Sequence, residues 1–407
     1  MQTTSKIFRL KGVIQHYSWG GHRFLPELLH EPNPLGQPFA EYWMGAHENA
    51  PSIIEFENGT HQTLVSFVKE NSKEVLGDTV NKNFGRLPYL FKILDVKDML
   101  SIQVHPSKKS AAVEFEAENK KGIPVNDPLR NYKDANHKPE LMVALSDFWL
   151  LHGFKSSAKL KAILQSVPEL NFLIPIWTQF GYEGIYKEVM EMDPLRVNKI
   201  LQPLIDRILP MYISNELKKS SEDFWAARAY QTFCKSGILD RGLFSVYFFN
   251  IVQLKPGEAI FQDAGILHAY LEGQNLEIMA NSDNVLRGGL TIKKVDVPEL
   301  LKHVLFESVD PKIIVGQPMG NGKEIAFITP ASDFELRRLE LKVGSLTQLN
   351  CHTAEIFLVT EGGVEVIEGS DQIKLQKGEC LFGLAGAVIQ LKASEEGSIV
   401  FKATVPE

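Results

Sequence analysis

The sequence contains few cysteines. Only three occur among 407 residues, an odd number without a CxxC pair. Neither a disulfide framework nor a thiolate zinc site is therefore expected. We interpret Cys234, Cys351 and Cys380 as small apolar side chains in the core.

The chain also lacks a long apolar run and an excess of positive charge. No segment approaches the roughly 18 apolar residues that span a bilayer, and the first ten residues contain no signal-peptide core. A formal net charge of -7 argues against a broad basic surface for nucleic acid or anionic membranes. We expect a cytoplasmic protein that binds neither, and any phosphate site must be local.

Length and composition are those of an ordinary globular protein with more than one core. The chain is 44% hydrophobic and 23% charged, which excludes a disordered or fibrous class. At roughly 100 to 200 residues per domain, we expect about two or three domains.

The pattern of apolar residues changes twice along the chain. Residues 1 to about 150 contain short apolar runs between turn residues, which favours β structure with one amphipathic helix over 63–76. A strand is predicted at 243–254, and the Gly/Pro-rich residues 316–323 mark a boundary before a final all-β segment. Between the β regions, helical periodicity predicts an insertion with helices over 158–164, 184–190, 194–209 and 221–233.

A short internal repeat indicates two related β domains. Residues 256–268 (PGEAIFQDAGILH) align without gaps with residues 377–389 (KGECLFGLAGAVI). Glycine turns flank a short apolar strand in each copy, as in the hairpins of double-sheet jelly rolls, including cupins. The first copy ends in His268 and the second in Ile389, so only the first retains a possible metal ligand.

The predicted fold is therefore mostly β, with two cupin-type jelly-roll barrels and a helical domain. Residues 1–155 and 237–315 are assigned to a discontinuous first barrel that carries the site. Residues 156–236 form the helical insertion, and residues 316–407 form a metal-free C-terminal barrel.

Four side chains are candidates for one metal site. Gln103 and His105 alternate along a predicted strand, so both point to the same face. Glu140 precedes the apolar run 141–145, and His268 ends the first repeat copy. Two imidazoles, a carboxylate and an amide oxygen suit zinc, but manganese, cobalt or iron also accept such ligands. Spacing alone does not separate this set from structural histidines.

Six ordered segments resemble the type I mannose-6-phosphate isomerases over nearly the whole chain. The resemblance implies that Gln103, His105, Glu140 and His268 bind one zinc ion in a catalytic cupin barrel. The segments are QHYSWG at 15–20, EYWMGAH at 41–47 with APS at 50–52, SIQVHP at 101–106, NHKPE at 136–140, GILHAY at 265–270 and EIMANSDNVLRGGL at 277–290.

The resemblance also implies the interconversion of mannose 6-phosphate and fructose 6-phosphate. An aldose–ketose isomerase removes a proton beside a carbonyl and returns it to the next carbon through an enediol, so it needs acid/base groups and charge stabilisation. The matching motifs offer His137, Lys138 and Glu277 for proton transfer. Which of these three abstracts the carbon-bound proton is left open.

Further side chains in the same motifs are assigned to the sugar phosphate. Arg287 has a planar fork that suits phosphate oxygens or an enediolate, and Asp283 is expected to orient it. Trp19, Ser101 and Lys293 are expected to contact the substrate.

Two other histidines invite a metal interpretation that we do not adopt. His47 is assigned to a structural or pocket-wall role. His352 with Glu355 resembles the first cupin ligand motif, but Ile389 replaces the last ligand there. A second metal site is therefore not expected.

Two alternatives from other functional classes remain. An iron-dependent cupin oxygenase uses two histidines and one carboxylate with open positions, and a fourth protein ligand at Gln103 argues against it. A sugar-phosphate binding protein without catalysis would not need acid and base groups beside a metal. The expected partner is a small sugar phosphate, and the expected oligomeric state is a monomer.

Overall fold

The computed structural model describes residues 5–234, 237–320, 322–394 and 397–407. Strands and helices take nearly equal shares, about 32% and 29%. The expected mostly β fold is thus corrected to a mixed fold with several antiparallel sheets. The difference arises because helices also occur outside the predicted insertion at 156–236.

Helices and strands alternate along the described residues. The helices are α1 Phe24–Leu28, α2 Leu64–Glu70, α3 Ser72–Phe84, α4 Lys108–Lys120, α5 Ser157–Ser166, α6 Ile174–Glu191, α7 Pro194–Ile213, α8 Glu222–Phe233, α9 Gly242–Phe248 and α10 Val297–Leu301, with a 3-10 helix at Pro168–Leu173. The strands are β1 Ile7–Lys11, β2 Val13–Gln15, β3 Glu41–Gly45, β4 Ile53–Glu55, β5 His61–Thr63, β6 Tyr89–Val96, β7 Gln103–Val104, β8 Glu140–Ala144, β9 Phe148–Phe154, β10 Phe249–Leu254, β11 Glu258–Gln262, β12 His268–Ala280, β13 Leu286–Arg287, β14 Ile314–Val315, β15 Gln317–Pro318, β16 Ile325–Phe327, β17 Glu335–Leu341, β18 Leu346–Asn350, β19 Glu355–Glu361, β20 Gly363–Glu368, β21 Asp371–Gln376, β22 Cys380–Gly383, β23 Val388–Ala393 and β24 Ser398–Thr404.

The four helices predicted between the β regions are confirmed as α5 to α8. Helix α7 begins at Pro194, and the Asp193 side chain caps it by accepting a hydrogen bond from the Leu195 amide. This is the expected pairing of an N-cap residue with proline at the first helical position. The buried face of α7 has helical spacing and consists of Val197, Leu201, Leu204, Ile205 and Ile208.

Two local predictions were wrong. The single helix predicted over 63–76 is two helices, α2 and α3, which meet at Asn71. The strand predicted over 243–254 begins instead as helix α9 and continues as strand β10. Every residue of α9 is buried, and an apolar run without exposed positions has no periodicity that separates helix from strand.

The strands form three antiparallel sheets among the described residues. An eleven-stranded sheet has the order β14-β11-β8-β12-β6-β3-β2. The first half of the long strand β12 also pairs with β7 and β9, and these pair in turn with β13 and β10. A nine-stranded sheet has the order β15-β16-β17-β24-β19-β22-β1-β4-β5. A four-stranded sheet has the order β18-β23-β20-β21.

The sequence repeat corresponds to a repeated strand topology. The order β2-β3-β6-β12-β8-β11 has the same connectivity as β15-β16-β17-β24-β19-β22, and β14 and β1 then pair with β11 and β22, respectively. Glycines open the same two turns in both copies, with φ of 85° and 83° at Gly257 and Gly265, and of 86° and 74° at Gly378 and Gly386. These left-handed angles favour glycine.

The repeat copies are not hairpins, which corrects that part of the prediction. Strand β11 pairs with β8 and β14, and strand β22 pairs with β1 and β19. Successive strands of each copy therefore pair with strands from elsewhere in the chain.

The two β units are interleaved along the chain. Residues 1–155 were assigned to the first barrel, but β1 pairs with β22, with Leu10 opposite Cys380. Strands β4 and β5 extend the same nine-stranded sheet. The N-terminal strand therefore completes the sheet of the C-terminal unit.

Two buried clusters join the parts of the molecule. One contains Phe8, Phe91 and Phe382, which lie on strands of both large sheets. The other combines Leu201 and Trp225 of the insertion with Ile102 and Val104 beside the candidate ligand strand. The insertion thus packs directly behind β7.

A cluster of charged side chains lies inside the C-terminal unit. The Lys402 ammonium contacts a carboxylate oxygen of Glu324 and lies 3.7 Å from Oε2 of Glu355. Arg337 lies 3.2 Å from the other oxygen of Glu324. The Lys402 side chain is only 2% exposed, so these charges compensate each other with little help from solvent.

Replacing the buried ammonium should destabilise the fold. We predict that Lys402→Met lowers the free energy of unfolding by about 3 kcal/mol, because Glu324 and Glu355 lose a buried counter-charge. Urea denaturation measures the change. Adding Glu355→Gln to Lys402→Met should restore part of the loss.

Lys392→Met is the matched control. Its ammonium lies 3.8 Å from Glu365, but the lysine side chain is 53% exposed. An exposed pair contributes little, so this variant should stay within about 0.5 kcal/mol of the unsubstituted protein. Equal destabilisation by both substitutions would contradict the assigned role of Lys402.

Candidate metal centre

The ends of three strands bring the four predicted ligands together. Gln103 begins β7 and His105 directly follows it, while Glu140 and His268 are the first residues of β8 and β12. His268 lies opposite Gln103 in the β12–β7 ladder. Val104 points away into the core behind β7, so the predicted alternation is confirmed.

The ligand atoms converge on Glu140. His105 Nε2 lies 3.4 Å from Glu140 Oε1, and His268 Nε2 lies 3.4 Å from Glu140 Oε2. The Gln103 amide nitrogen lies 3.2 Å from His268 Nε2, and a flip of this amide brings its oxygen to the same place. His105, Glu140 and His268 are at most 1% exposed. Their ligand atoms all lie within 4.8 Å of one another.

Backbone carbonyls set the tautomers of both histidines. His105 Nδ1 donates to the Asn284 carbonyl at 2.8 Å, and His268 Nδ1 donates to the Ile266 carbonyl at 2.9 Å. In a neutral ring with this hydrogen bond, Nε2 is the unprotonated nitrogen, and in both histidines Nε2 faces the carboxylate of Glu140. This is the tautomer that metal-binding histidines adopt.

The buried acceptors at this point lack a donor. His105 Nε2 and Glu140 Oε2 are fully buried and have no hydrogen-bond partner. Burial lowers the pKa of His105 to about 4, which favours the neutral ring. Burial favours protonation of Glu140, but His105 and Lys138 hold its pKa well below the ordinary value. A carboxylate facing two imidazole lone pairs fits a divalent cation.

Lys138 and Glu277 lie in the environment of this cluster. Lys138 Nζ lies 3.4 Å from Glu140 Oε1. Glu277 is bound by the Lys92 ammonium at 3.0 Å and accepts a hydrogen bond from the Tyr270 hydroxyl at 2.7 Å. Burial raises the pKa of Glu277, Lys92 lowers it and Glu140 raises it, with a net upward shift.

Lys92 is a functional candidate that the sequence analysis missed. Its ammonium lies 3.0 Å from Glu277 and 3.5 Å from Glu41, and 5.1 Å from the centre of the Trp43 ring. The feature of the sequence that could have identified it is a lysine in the middle of the strand YLFKILDV. Every residue of this strand is buried, and it contains one other charged residue, Asp95. A lysine is rarely buried unless it is paired.

His137 contacts the C-terminal unit. Its Nε2 lies 3.0 Å from Asp333 Oδ2, and Asp333 is 1% exposed. Burial raises the pKa of Asp333, but the hydrogen bond and charge of His137 bring it below the ordinary value. This nitrogen therefore points at Asp333, although His137 is only three residues before Glu140.

Contrary to expectation, Asp283 does not contact Arg287. Its two oxygens lie 3.2 Å from His47 Nε2 and from the Asn49 amide nitrogen. The His47 ring packs edge-on against Trp43 at 4.9 Å. Asp283 thus contacts the segment that contains His47 and Asn49.

Arg287 is placed beside a ligand by strand pairing. It lies opposite Gln103 in the β13–β7 ladder, and directly opposed residues project from the same face. Burial lowers the pKa of Arg287. Burial and then the Arg287 charge lower the pKa of Lys293.

The two remaining substrate candidates occupy different positions. Ser101 is half-buried and lies two residues before Gln103. Trp19 stacks on Tyr17, with ring centres 5.9 Å apart, and packs against the buried cluster that contains Leu94 and Tyr270.

The C-terminal unit carries a different set of side chains at the equivalent positions. Glu355 faces Gly383 across β19–β22, just as Glu140 faces Gln262 across β8–β11. Leu349 lies opposite Ile389, where the first unit pairs Gln103 with His268. In the C-terminal unit, the Lys402 ammonium supplies the positive charge near the carboxylate. Within the described ranges, a cluster of metal-ligating His, Cys, Asp or Glu side chains occurs only in the first unit.

No described helix has the length and apolar character needed to cross a bilayer.

The comparison with protein families matches residues 7–157 to the phosphomannose isomerase type I catalytic domain. The mannose-6-phosphate isomerase of Escherichia coli is 36% identical over 92% of this chain and 94% of its own length. The Homo sapiens enzyme of that name is 32% identical over 98% of both.

Solved structures agree with these relatives. A zinc-bound holo mannose 6-phosphate isomerase superposes with a TM-score of 0.87 at 32% identity, covering 99% of this chain and all of its own. The Salmonella typhimurium enzyme bound to its substrate fructose 6-phosphate and zinc has the same TM-score, identity and coverage. The chain therefore belongs to the type I mannose-6-phosphate isomerase family.

Proposed function

We propose that this chain is a zinc-dependent isomerase that interconverts mannose 6-phosphate and fructose 6-phosphate through an enediol. The observation that carries the proposal is the buried carboxylate of Glu140 between the Nε2 atoms of His105 and His268. The Salmonella typhimurium relative, bound to fructose 6-phosphate and zinc, supports both the metal and the substrate.

Gln103, His105, Glu140 and His268 are the proposed zinc ligands. Zinc held there would act as a Lewis acid toward the oxygens of the sugar, without redox chemistry. Lys138 lies next to this set and keeps Glu140 in its charged form.

Proton transfer is assigned to side chains that the strands hold beside the ligands. Lys138 and Glu277 are the candidates within the charged cluster, and Lys92 and Tyr270 hold the two oxygens of Glu277. A carboxyl group with a raised pKa and an adjacent ammonium suit a step that removes a proton from one carbon and returns it to the next. His137 stays a candidate through its motif.

The phosphate and the developing enediolate are assigned to cations on one segment. Arg287 lies opposite Gln103, Lys293 follows it on the same segment, and Ser101 lies two residues before Gln103. Arginine binds phosphate oxygens through its planar fork, and lysine supplies a point charge. Trp19 is proposed to contact the sugar, and Asp283 to hold His47 in the wall.

The finer architecture is part of the same proposal. The repeated strand order supports two cupin-type jelly-roll units, made of residues 1–155 with 237–315 and of 316–407, and separated by the insertion 156–236. Strands β1, β4 and β5 are the exceptions, since they belong to the nine-stranded sheet of the second unit. We propose that the protein acts as a cytoplasmic monomer.

Removing a metal ligand should remove both metal and turnover. We predict that His268→Ala loses bound zinc, because one imidazole ligand disappears. Elemental analysis and a coupled assay on mannose 6-phosphate measure both properties on the same preparation. Chelation of the unsubstituted protein should abolish activity, and zinc should restore it without oxygen consumption.

The control for this variant is His61→Ala, at an exposed position on β5. It should keep about one zinc ion per chain and full turnover. Stoichiometric zinc in His268→Ala would refute the proposed site. Iron-dependent oxygen uptake would favour the oxygenase alternative, and zinc binding without turnover would favour a binding protein.

Removing the arginine should lower catalytic efficiency without loss of the metal. We predict that Arg287→Ala lowers kcat/KM on the order of 100-fold, because a positioned donor to a developing negative charge is lost. Zinc content should not change, since Arg287 is outside the ligand set. Steady-state kinetics and elemental analysis test this pair of expectations.

Arg23→Ala serves as the comparison, because the Arg23 side chain is 87% exposed and pairs with Glu27 on the surface. It should keep the kinetics of the unsubstituted enzyme. Loss of zinc together with activity in Arg287→Ala would show that the arginine supports the metal site instead.

A further inference from the structure

Asp240 holds two separate chain segments together. It lies between the helical insertion and α9, and its Oδ1 accepts hydrogen bonds from the Gly242 amide at 2.7 Å and the Leu290 amide at 2.8 Å. Its Oδ2 accepts a third hydrogen bond, from the Thr291 amide at 3.1 Å. One carboxylate therefore binds backbone donors before α9 and after β13.

The segment that Asp240 binds has an unusual backbone conformation. Leu290 has a φ of 52°, which is unfavourable for a side chain with a Cβ, and it is fully buried. A Cβ on Gly289 would lie 2.6 Å from the Gly242 Cα, so the two segments are in direct backbone contact. Such a conformation persists only where its surroundings impose it. The Asp240 hydrogen bonds impose it here.

The other flank of this segment is bound to the ligand strand. The Gly288 amide donates to the Ile102 carbonyl at 2.8 Å, and the Ile102 amide donates to the Gly289 carbonyl at 3.0 Å. Arg287 is thereby held opposite Gln103. Strand pairing positions Arg287, whereas the path from Leu290 to Lys293 depends on Asp240.

Arg287 and Lys293 lack a counter-charge. Neither forms an ion pair with any residue in the described parts of the chain, and burial is the sole influence that shifts the pKa of Arg287. Two neighbouring cations of this kind repel each other unless an anion lies between them. Their spacing therefore matters for anion affinity.

We propose that Asp240 is a positioning residue for the substrate phosphate. Its carboxylate fixes the turn at Leu290 and Thr291, so that Arg287 and Lys293 present their charges to one phosphate group. This inference rests on the proposed function, which assigns both cations to the sugar phosphate. Asp240 acts through the backbone and does not touch the substrate.

The test compares Asp240→Ala, Asp240→Asn and the control Asp193→Ala in the zinc-loaded enzyme. Asp193 also accepts a backbone amide hydrogen bond, at 2.9 Å, but at the start of α7. KM for mannose 6-phosphate and the Kd of inorganic phosphate, measured by calorimetry, report anion binding. Zinc content and the thermal midpoint report the metal site and the fold.

We expect KM and the phosphate Kd to rise together by at least about tenfold in Asp240→Ala, with zinc content unchanged. Asp240→Asn retains an acceptor for Gly242 and Leu290 and presents a donor to Thr291, so it should fall between the alanine variant and the unsubstituted enzyme. Asp193→Ala should keep both binding constants.

Unchanged KM and phosphate Kd in Asp240→Ala, with only a lower thermal midpoint, would overturn the inference and leave a purely structural aspartate. An equal rise in both constants in Asp193→Ala would also overturn it. The proposed function fails separately, if the unsubstituted zinc enzyme does not turn over mannose 6-phosphate. Phosphate calorimetry does not depend on turnover, so the two failures are distinguishable.

Discussion

The carboxylate of Glu140 requires a positive charge in a place that excludes water. Two imidazole nitrogens face its oxygens at 3.4 Å, and all three side chains are buried. A buried acceptor cluster is costly without a cation or donors. The starts of β8 and β12 and the end of β7 must therefore meet at one point, and backbone carbonyls at Asn284 and Ile266 hold the rings in the required tautomer.

Charge compensation also explains how the two β units differ. Both keep a glutamate at the same position of the repeated topology, Glu140 in the first and Glu355 in the second. The first unit surrounds it with metal-ligand side chains, and the second brings in the ammonium of Lys402. Because a lysine on β24 supplies the charge internally, the second unit has a self-contained cluster. In the first unit, Arg287 and Lys293 form no ion pair with any described residue, which fits the anion site that we propose.

The helical insertion contributes to the site through the face of β7 that lies opposite the proposed ligands. Its core includes Val104, the residue between two proposed ligands, so packing on one face of β7 fixes the direction of the other face. The hydroxyl of Tyr186 on α6 lies 2.7 Å from where a Cβ on Gly288 would be, which leaves no room for a larger residue there. Together with Asp240, these contacts connect the insertion to the segment that carries Arg287.

Much of the site was predictable from the sequence because its signals are local. Alternation along a strand places Gln103 and His105 on one face, the glycine turns place His268 at a strand start, and capping residues mark α7. Partners distant in sequence were not predictable. Strand β1 pairs with β22, more than 350 residues later, Lys92 neutralises Glu277, and Asp283 binds His47 instead of Arg287. The sequence by itself determined the candidate metal and phosphate residues, through its resemblance to a family, and most of the helical segments, through their periodicity. Only the tertiary structure decided which strands pair, that the apolar run at α9 is a helix, and which charged side chains lie next to each other. Burial and pairing depend on packing between distant segments, which no local pattern encodes.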